Sequence, residues 1–169
     1  YAFAINILAM ALGQVFLFKA ASKLCKSDIT ALIVCAVWGF SQGFVNLNVY
    51  LRMYSLLTMF AIIFLYCHVK LYTNEGSFVK NMVITAVVTF LGALTHHYFL
   101  AFAFIWAACF CFYYLFSKKF TELFRYAYSM IIAVMLSLAV FPNTLVHMFF
   151  DDVLSDGTRF KMPLINGIR

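Results

Sequence analysis

The chain has 169 residues, 66% of them hydrophobic and 20% aromatic, with only 11% charged and a mean hydropathy of +0.96. Soluble domains are near half apolar and a quarter charged, so these values exclude an ordinary soluble domain and point to a membrane protein. The net charge of +6 comes from 12 Lys and Arg against 6 Asp and Glu scattered between apolar runs, whereas nucleic-acid binding needs a clustered basic face.

A crossing needs about 20 apolar residues, which leaves room for an all-α polytopic transmembrane bundle of about six spans and no sizeable soluble domain. The first apolar run covers about 1–18 and ends at Lys19, Lys23 and Lys26. Because residue 1 is Tyr and this run starts at once, without a charged leader or cleavage site, the chain reads as an internal piece of a longer protein. A second span is predicted over about 29–50 and a third over about 53–69, closed by His68, Lys70 and the turn Thr73-Asn74-Glu75-Gly76. After Lys80, the stretch 81–116 is too long for one crossing, and Thr95-His96-His97-Tyr98 divides it into spans of about 81–96 and 98–116. The former would be only about 22 Å long, short of the ~30 Å hydrocarbon core. The sixth span, about 126–141, stops at Pro142 and leaves a tail, 143–169.

Counting basic residues on alternate sides gives the orientation. Lys19, Lys23, Lys26, Lys70, Lys80, Lys118, Lys119 and Arg125 fall on one side, which is therefore expected to be cytoplasmic. Arg52, His96, His97 and the tail are then extracytoplasmic. The five cysteines have no metal-ligand spacing, and Cys109 and Cys111 diverge around a helix, so no disulfide is expected. The abundant Phe and Tyr are read as lipid-facing filler and interfacial belts.

Arg52 is the basic residue that departs from the charge rule. It either snorkels to outer-leaflet headgroups or meets an anionic partner. Gly39, Gln42, Gly43 and Asn46 recur at helical spacing in span two, a packing face for the glycines and a polar stripe rising toward Arg52. Thr85, Thr89, Gly92 and His96 share a face of span four by offsets of four, three and four. Two adjacent histidines at its end suit phosphate binding or acid–base work; a metal is disfavoured, because an i,i+4 His pair is missing. At least one of the two is expected simply to be satisfied by neighbouring helices. No carboxylate lies within a span, and Asp151 and Asp152 of the tail read as solvated or interfacial charges.

The stretch Tyr50-Leu51-Arg52-Met53-Tyr54, followed by a short span, a basic loop and Gly92-Ala93-Leu94-Thr95-His96-His97-Tyr98-Phe99, resembles membrane glycosyltransferases of the GT-C superfamily. The closest group is the bacterial relatives of protein O-mannosyltransferases and aminoarabinose transferases, over about Tyr1 to Pro142. The resemblance implies an enzyme of the bacterial cell membrane that moves a sugar from a polyprenyl-phosphate donor to a lipid, glycan or protein acceptor on the extracytoplasmic face. Arg52, with His96 and His97, would bind the donor phosphate, and Tyr54, Tyr98, Asn46 and Gln42 would line the cavity. Relatives often carry Tyr directly after the first His, so His97 departs from their pattern and leaves the cavity-facing imidazole undecided. The family's catalytic acidic residue would precede Tyr1, and Asp151 and Asp152 do not match it. No cofactor is predicted, with a divalent metal left open. A flippase for lipid-linked glycans, or another membrane carrier, is the alternative reading.

Overall fold

The computed structural model describes residues 2–43 and 54–142. They form an all-α membrane bundle with helices α1 (Ala2–Cys25), α2 (Asp28–Gly39), α3 (Tyr54–Tyr72), α4 (Phe78–Thr95), α5 (Tyr98–Phe116) and α6 (Phe120–Val140). All but α2 are long and apolar enough to cross a membrane. Helices suit this chain because lipid offers no partners to backbone polar groups, which a helix satisfies within itself. The exterior is correspondingly apolar: Phe40, Phe104 and Phe116 are among many large exposed hydrophobics, a surface compatible with acyl chains and not with water.

Neighbouring helices run α2, α1, α3, α4, and then α4, α5 and α6 close into a packed group. Its core joins Phe64 and Cys67 of α3, Val88 and Ala93 of α4, Phe99 and Tyr114 of α5, and Tyr126 and Met130 of α6. Part of the aromatic content is therefore interior, which corrects the expectation of lipid-facing filler and belts. Phe64, Phe99, Tyr114 and Tyr126 are essentially inaccessible. They meet edge-on or tilted, with Phe64 and Phe99 centroids 5.8 Å apart at 77° and those of Tyr114 and Tyr126 5.8 Å apart at 58°, arrangements favoured by ring quadrupoles.

The turns α1–α2, α3–α4 and α5–α6 gather at one end, which holds the basic residues outside the tail and Arg52. Lys23 forms an ion pair with Glu75 across two of these turns, and that hydrogen bond holds the Glu75 carboxyl below its ordinary range. Each turn uses a left-handed residue: Lys26, Asn74 with Gly76, and Lys118, with φ of 51°, 52°, 75° and 57°. Asn74 is well suited to that conformation, whereas a lysine is held there at some cost.

Helix ends differ from the charge-marked spans. At the basic end, α1 continues to Cys25, α3 continues to Tyr72, α4 begins at Phe78 and α6 begins at Phe120. A lysine marks where the bilayer ends, not where the helix must, because its stem can lie along the helix while the cation stays at the interface. Lys19 and Lys70 lie against the rings of Phe16 and Tyr66, 5.7 and 5.8 Å from their centroids. As a result α4 has 18 residues and is about 27 Å long, nearly a full crossing instead of the short helix expected.

The correction to span two runs the other way. Helix α2 has 12 residues, about 18 Å, and is interrupted at Phe40 and Ser41 before helical backbone resumes at Gln42 and Gly43. Ser27 opens it as N-cap, its hydroxyl accepting from Thr30 N–H at 3.3 Å. At the other end Ser41 turns inward on Trp38, donating from both backbone and side chain to its carbonyl at 3.2 and 2.8 Å. Gly39 therefore does not share one continuous helical face with Gln42 and Gly43. Gly39 does pack closely, since a Cβ there would lie 2.9 Å from Gln14 Nε2 of α1, whereas a Cβ on Gly43 would meet nothing within 4 Å among the described residues.

Candidate functional site

Opposite the basic end, the α4–α5 reversal occupies very little chain. Thr95 closes α4 by donating its hydroxyl to Gly92 O at 2.6 Å. His96 then turns extended, with φ −163° and ψ 139°, and His97 is already helical in backbone angles. Backbone N–H groups of Phe99 and Leu100 donate to the carbonyls of His96 and His97 at 3.0 and 2.9 Å, starting α5 at once. One extended residue thus separates two antiparallel helices, allowed by Gly92, over which the buried Phe99 ring folds.

This reversal holds the histidines among aromatic rings. His96 stacks on Tyr98 with centroids 4.8 Å apart at 23° and lies 4.3 Å from His97. Tyr54, at the first position of α3, approaches His96 from a separate helix, with ring centroids 5.8 Å apart. Tyr54, the described residue of its motif, and His96, 42 positions later, therefore meet at the same end of the bundle. Thr85, Thr89 and Gly92 do share a buried face of α4 below them. Thr85 and Thr89 donate to the carbonyls of Asn81 and Thr85, both at 2.8 Å, which satisfies the hydroxyls within their own helix.

The protonation pattern of His96 follows from its surroundings. Its Nδ1 accepts from the backbone N–H of Tyr98 at 3.2 Å, which places the neutral ring's proton on Nε2. Partial burial, and secondarily the neighbouring His97, hold its pKa below the ordinary 6.5. Near neutral pH His96 is accordingly an uncharged imidazole with an Nε2–H donor. Tyr98 is 63% exposed, so the cluster opens outward.

Arg52 and Asn46 lie outside the described residues, as do Asp151, Asp152 and the rest of the tail. Gln42 is exposed beyond the α2 break, and α2 packs mainly on α1, so the described contacts do not bring it to the histidines. Two apolar grooves among the described residues, between α5 and α6 and between α4 and α6, are lined by other residues. Among the described residues, no cluster of three or more His, Cys, Asp or Glu side chains is arranged to hold a metal ion.

His68 is the polar residue that the sequence reading misplaced as a boundary marker. It is 1% exposed, with Nδ1 2.8 Å from the Phe64 carbonyl and Nε2 2.7 Å from the Tyr126 hydroxyl. The carbonyl requires a proton on Nδ1, so Nε2 accepts from Tyr126 O–H. Phe64 and Phe110 pack around the ring at 4.2 and 4.6 Å. The signal for this was its setting in Tyr66-Cys67-His68-Val69, one helical turn after Phe64 and within a hydrophobic run.

Comparisons against protein-family profiles, curated proteins and solved structures give no match to this chain.

Proposed function

We propose that the chain is the donor-binding part of a membrane glycosyltransferase that takes a sugar from a polyprenyl-phosphate carrier at the end of the bundle opposite its basic turns. The observation that carries this reading is the meeting of Tyr54 with His96 at a ring separation of 5.8 Å, since Tyr54 ends the Arg-Met-Tyr motif and His96 belongs to the Thr-His-His-Tyr motif. Arg52 stands two residues before Tyr54 in sequence. Its guanidinium has a donor geometry that matches phosphate oxygens. His96 adds a neutral Nε2–H donor, which can bind a phosphate oxygen without bringing a second full charge into the site. Further support comes from the lopsided basic ends, from which the charge rule leads one to expect the cluster on the extracytoplasmic face.

In the reaction, an acceptor oxygen attacks the anomeric carbon, the bond from that carbon to the phosphate oxygen breaks, and polyprenyl phosphate leaves with the bonding electron pair. Arg52 and His96 stabilise the growing phosphate charge, which is where preorganised donors have the largest effect. The acceptor proton passes to a general base, which the resemblance implies is a carboxylate.

The test is transfer of radiolabelled sugar from a polyprenyl-phosphate donor by membranes containing the full-length protein. Arg52→Ala is expected to abolish transfer with expression and insertion intact. His96→Ala should lose about tenfold or more, the effect of a charge-assisted donor to developing charge, and His97→Ala less. Normal transfer by Arg52→Ala would overturn the phosphate assignment, and equal, negligible losses in both histidine variants would return the pair to packing.

A further inference from the structure

A second ligand chemistry is written on the opposite end of the molecule, in the groove between α4 and α6. We propose that this groove binds one anionic phospholipid in the leaflet at the basic end, its headgroup held by Arg125 and Lys80 and one acyl chain lying along the groove.

Arg125 lines the groove together with Met82 and Val83 of α4. It is exposed and makes no ion pair or hydrogen bond among the described residues. The nearest carboxylate in sequence on its own helix, Glu122, is engaged by Lys119 at 3.5 Å. Lys80 is exposed and precedes Val83 and Val87 by three and seven positions, so helical spacing puts it at the edge of the groove-facing side of α4, outside the lining and one turn closer to the bilayer edge. Arg125 thus lines a largely apolar trough of about 440 Å³, with exposed Lys80 beside its rim on the facing helix. Exposed Tyr128 and partly buried Ser129 also line the groove, and the Ser129 hydroxyl donates to Tyr126 O at 2.8 Å.

Length identifies the occupant. From Arg125 to Leu136 the groove follows α6 for about 16 Å at the helical rise, close to half of the ~30 Å hydrocarbon core. A lipid chain occupies one leaflet, whereas a packed transmembrane helix would follow α4 and α6 across both. Charge completes the argument, since unpaired cations at the interface favour an anionic headgroup over a zwitterionic one. The α5–α6 groove has a similar volume, about 440 Å³, but no charged residue in its lining, and serves as an internal control.

The experiment is native mass spectrometry of the full chain released from mild detergent, titrated with dioleoyl phosphatidylglycerol or dioleoyl phosphatidylcholine. One phosphatidylglycerol is expected to be retained at least about fivefold more tightly than phosphatidylcholine, and Arg125→Gln and Lys80→Gln should each reduce that preference by about fivefold or to nothing. Val87→Trp, at a position 50% exposed, should weaken retention of both lipids by filling the trough. Ile131→Trp, in the α5–α6 groove, should leave the preference intact. Equal retention of the two lipids by the unaltered chain would overturn the proposal. So would an unchanged preference in the Arg125→Gln, Lys80→Gln double variant. Conversion of a dimer to a monomer by Val87→Trp would also overturn it, by giving the groove to a second copy.

Discussion

Gly92→Ala tests how the histidine reversal is built. A Cβ at position 92 would lie 2.5–2.6 Å from three carbons of the Phe99 ring, far inside van der Waals contact. Phe99 has little freedom to move away, being 0% exposed and packed edge-on against Phe64. Alanine gains about 1 kcal/mol in helix propensity over glycine, while forcing a methyl into a filled site costs about 1–3 kcal/mol. The clash should prevail, with a net loss of about 1 kcal/mol. Phe99→Leu alone should cost about 1–2 kcal/mol through lost packing, but it removes the carbons that the new methyl strikes. The double variant should then be more stable than the sum of the two losses by about 1 kcal/mol or more, a coupling normal for residues in contact. Reversible unfolding of the four proteins in mixed micelles measures this cycle. Additive losses, or a Gly92→Ala protein more stable than the parent, would mean that the ring is not seated on the glycine and that the tight reversal has another origin.

Two further predictions concern the remaining imidazoles. Tyr126→Phe should destabilise the bundle by about 1 kcal/mol, near the upper part of the range for hydrogen bonds between membrane helices, because it leaves His68 Nε2 buried without a donor. A His68→Phe, Tyr126→Phe double variant should recover part of that loss in the same unfolding assay, and failure to recover any would count against the pairing. By nuclear magnetic resonance of histidine-labelled protein, His96 should titrate below 6.5; its lowered pKa supplies stability that is present above 6.5 and lost as pH falls through the folded-state value. His97→Gln should move that midpoint back up only partway, since burial is the larger cause, and a full return to 6.5 would reverse that order.

The sequence made the membrane class, the α5 span and the gathering of basic turns legible, because each depends on local composition or alternation along the chain. The shared face of Thr85, Thr89 and Gly92 was equally legible from helical spacing. Helix ends were not, since Lys70 and Arg125 mark an interface that the helices overrun, and a flexible stem lets charge and helix end part company. Nothing periodic distinguishes Phe64, Phe99 or Tyr126 from aromatics that face lipid. In a bilayer, core and exterior are alike apolar, so only tertiary packing separates them. His68 was obscured for the related reason that a polar residue beside Lys70 resembles a boundary until its partner, 58 positions later, is brought against it. The junction of Tyr54 with His96 is likewise a product of helix pairing and not of local pattern.

The lysines at Lys26 and Lys118 carry two instructions on one side chain. Their charge helps set which way the chain threads the membrane, and their left-handed backbone reverses its direction. An experiment that flips topology by replacing them with Glu would change both the charge count and the reversal, and the two effects would be inseparable. Glycine or asparagine separates them, deleting the charge while keeping, and easing, the backbone conformation. Charge bookkeeping for insertion can therefore be edited here independently of folding only through residues that tolerate a positive φ.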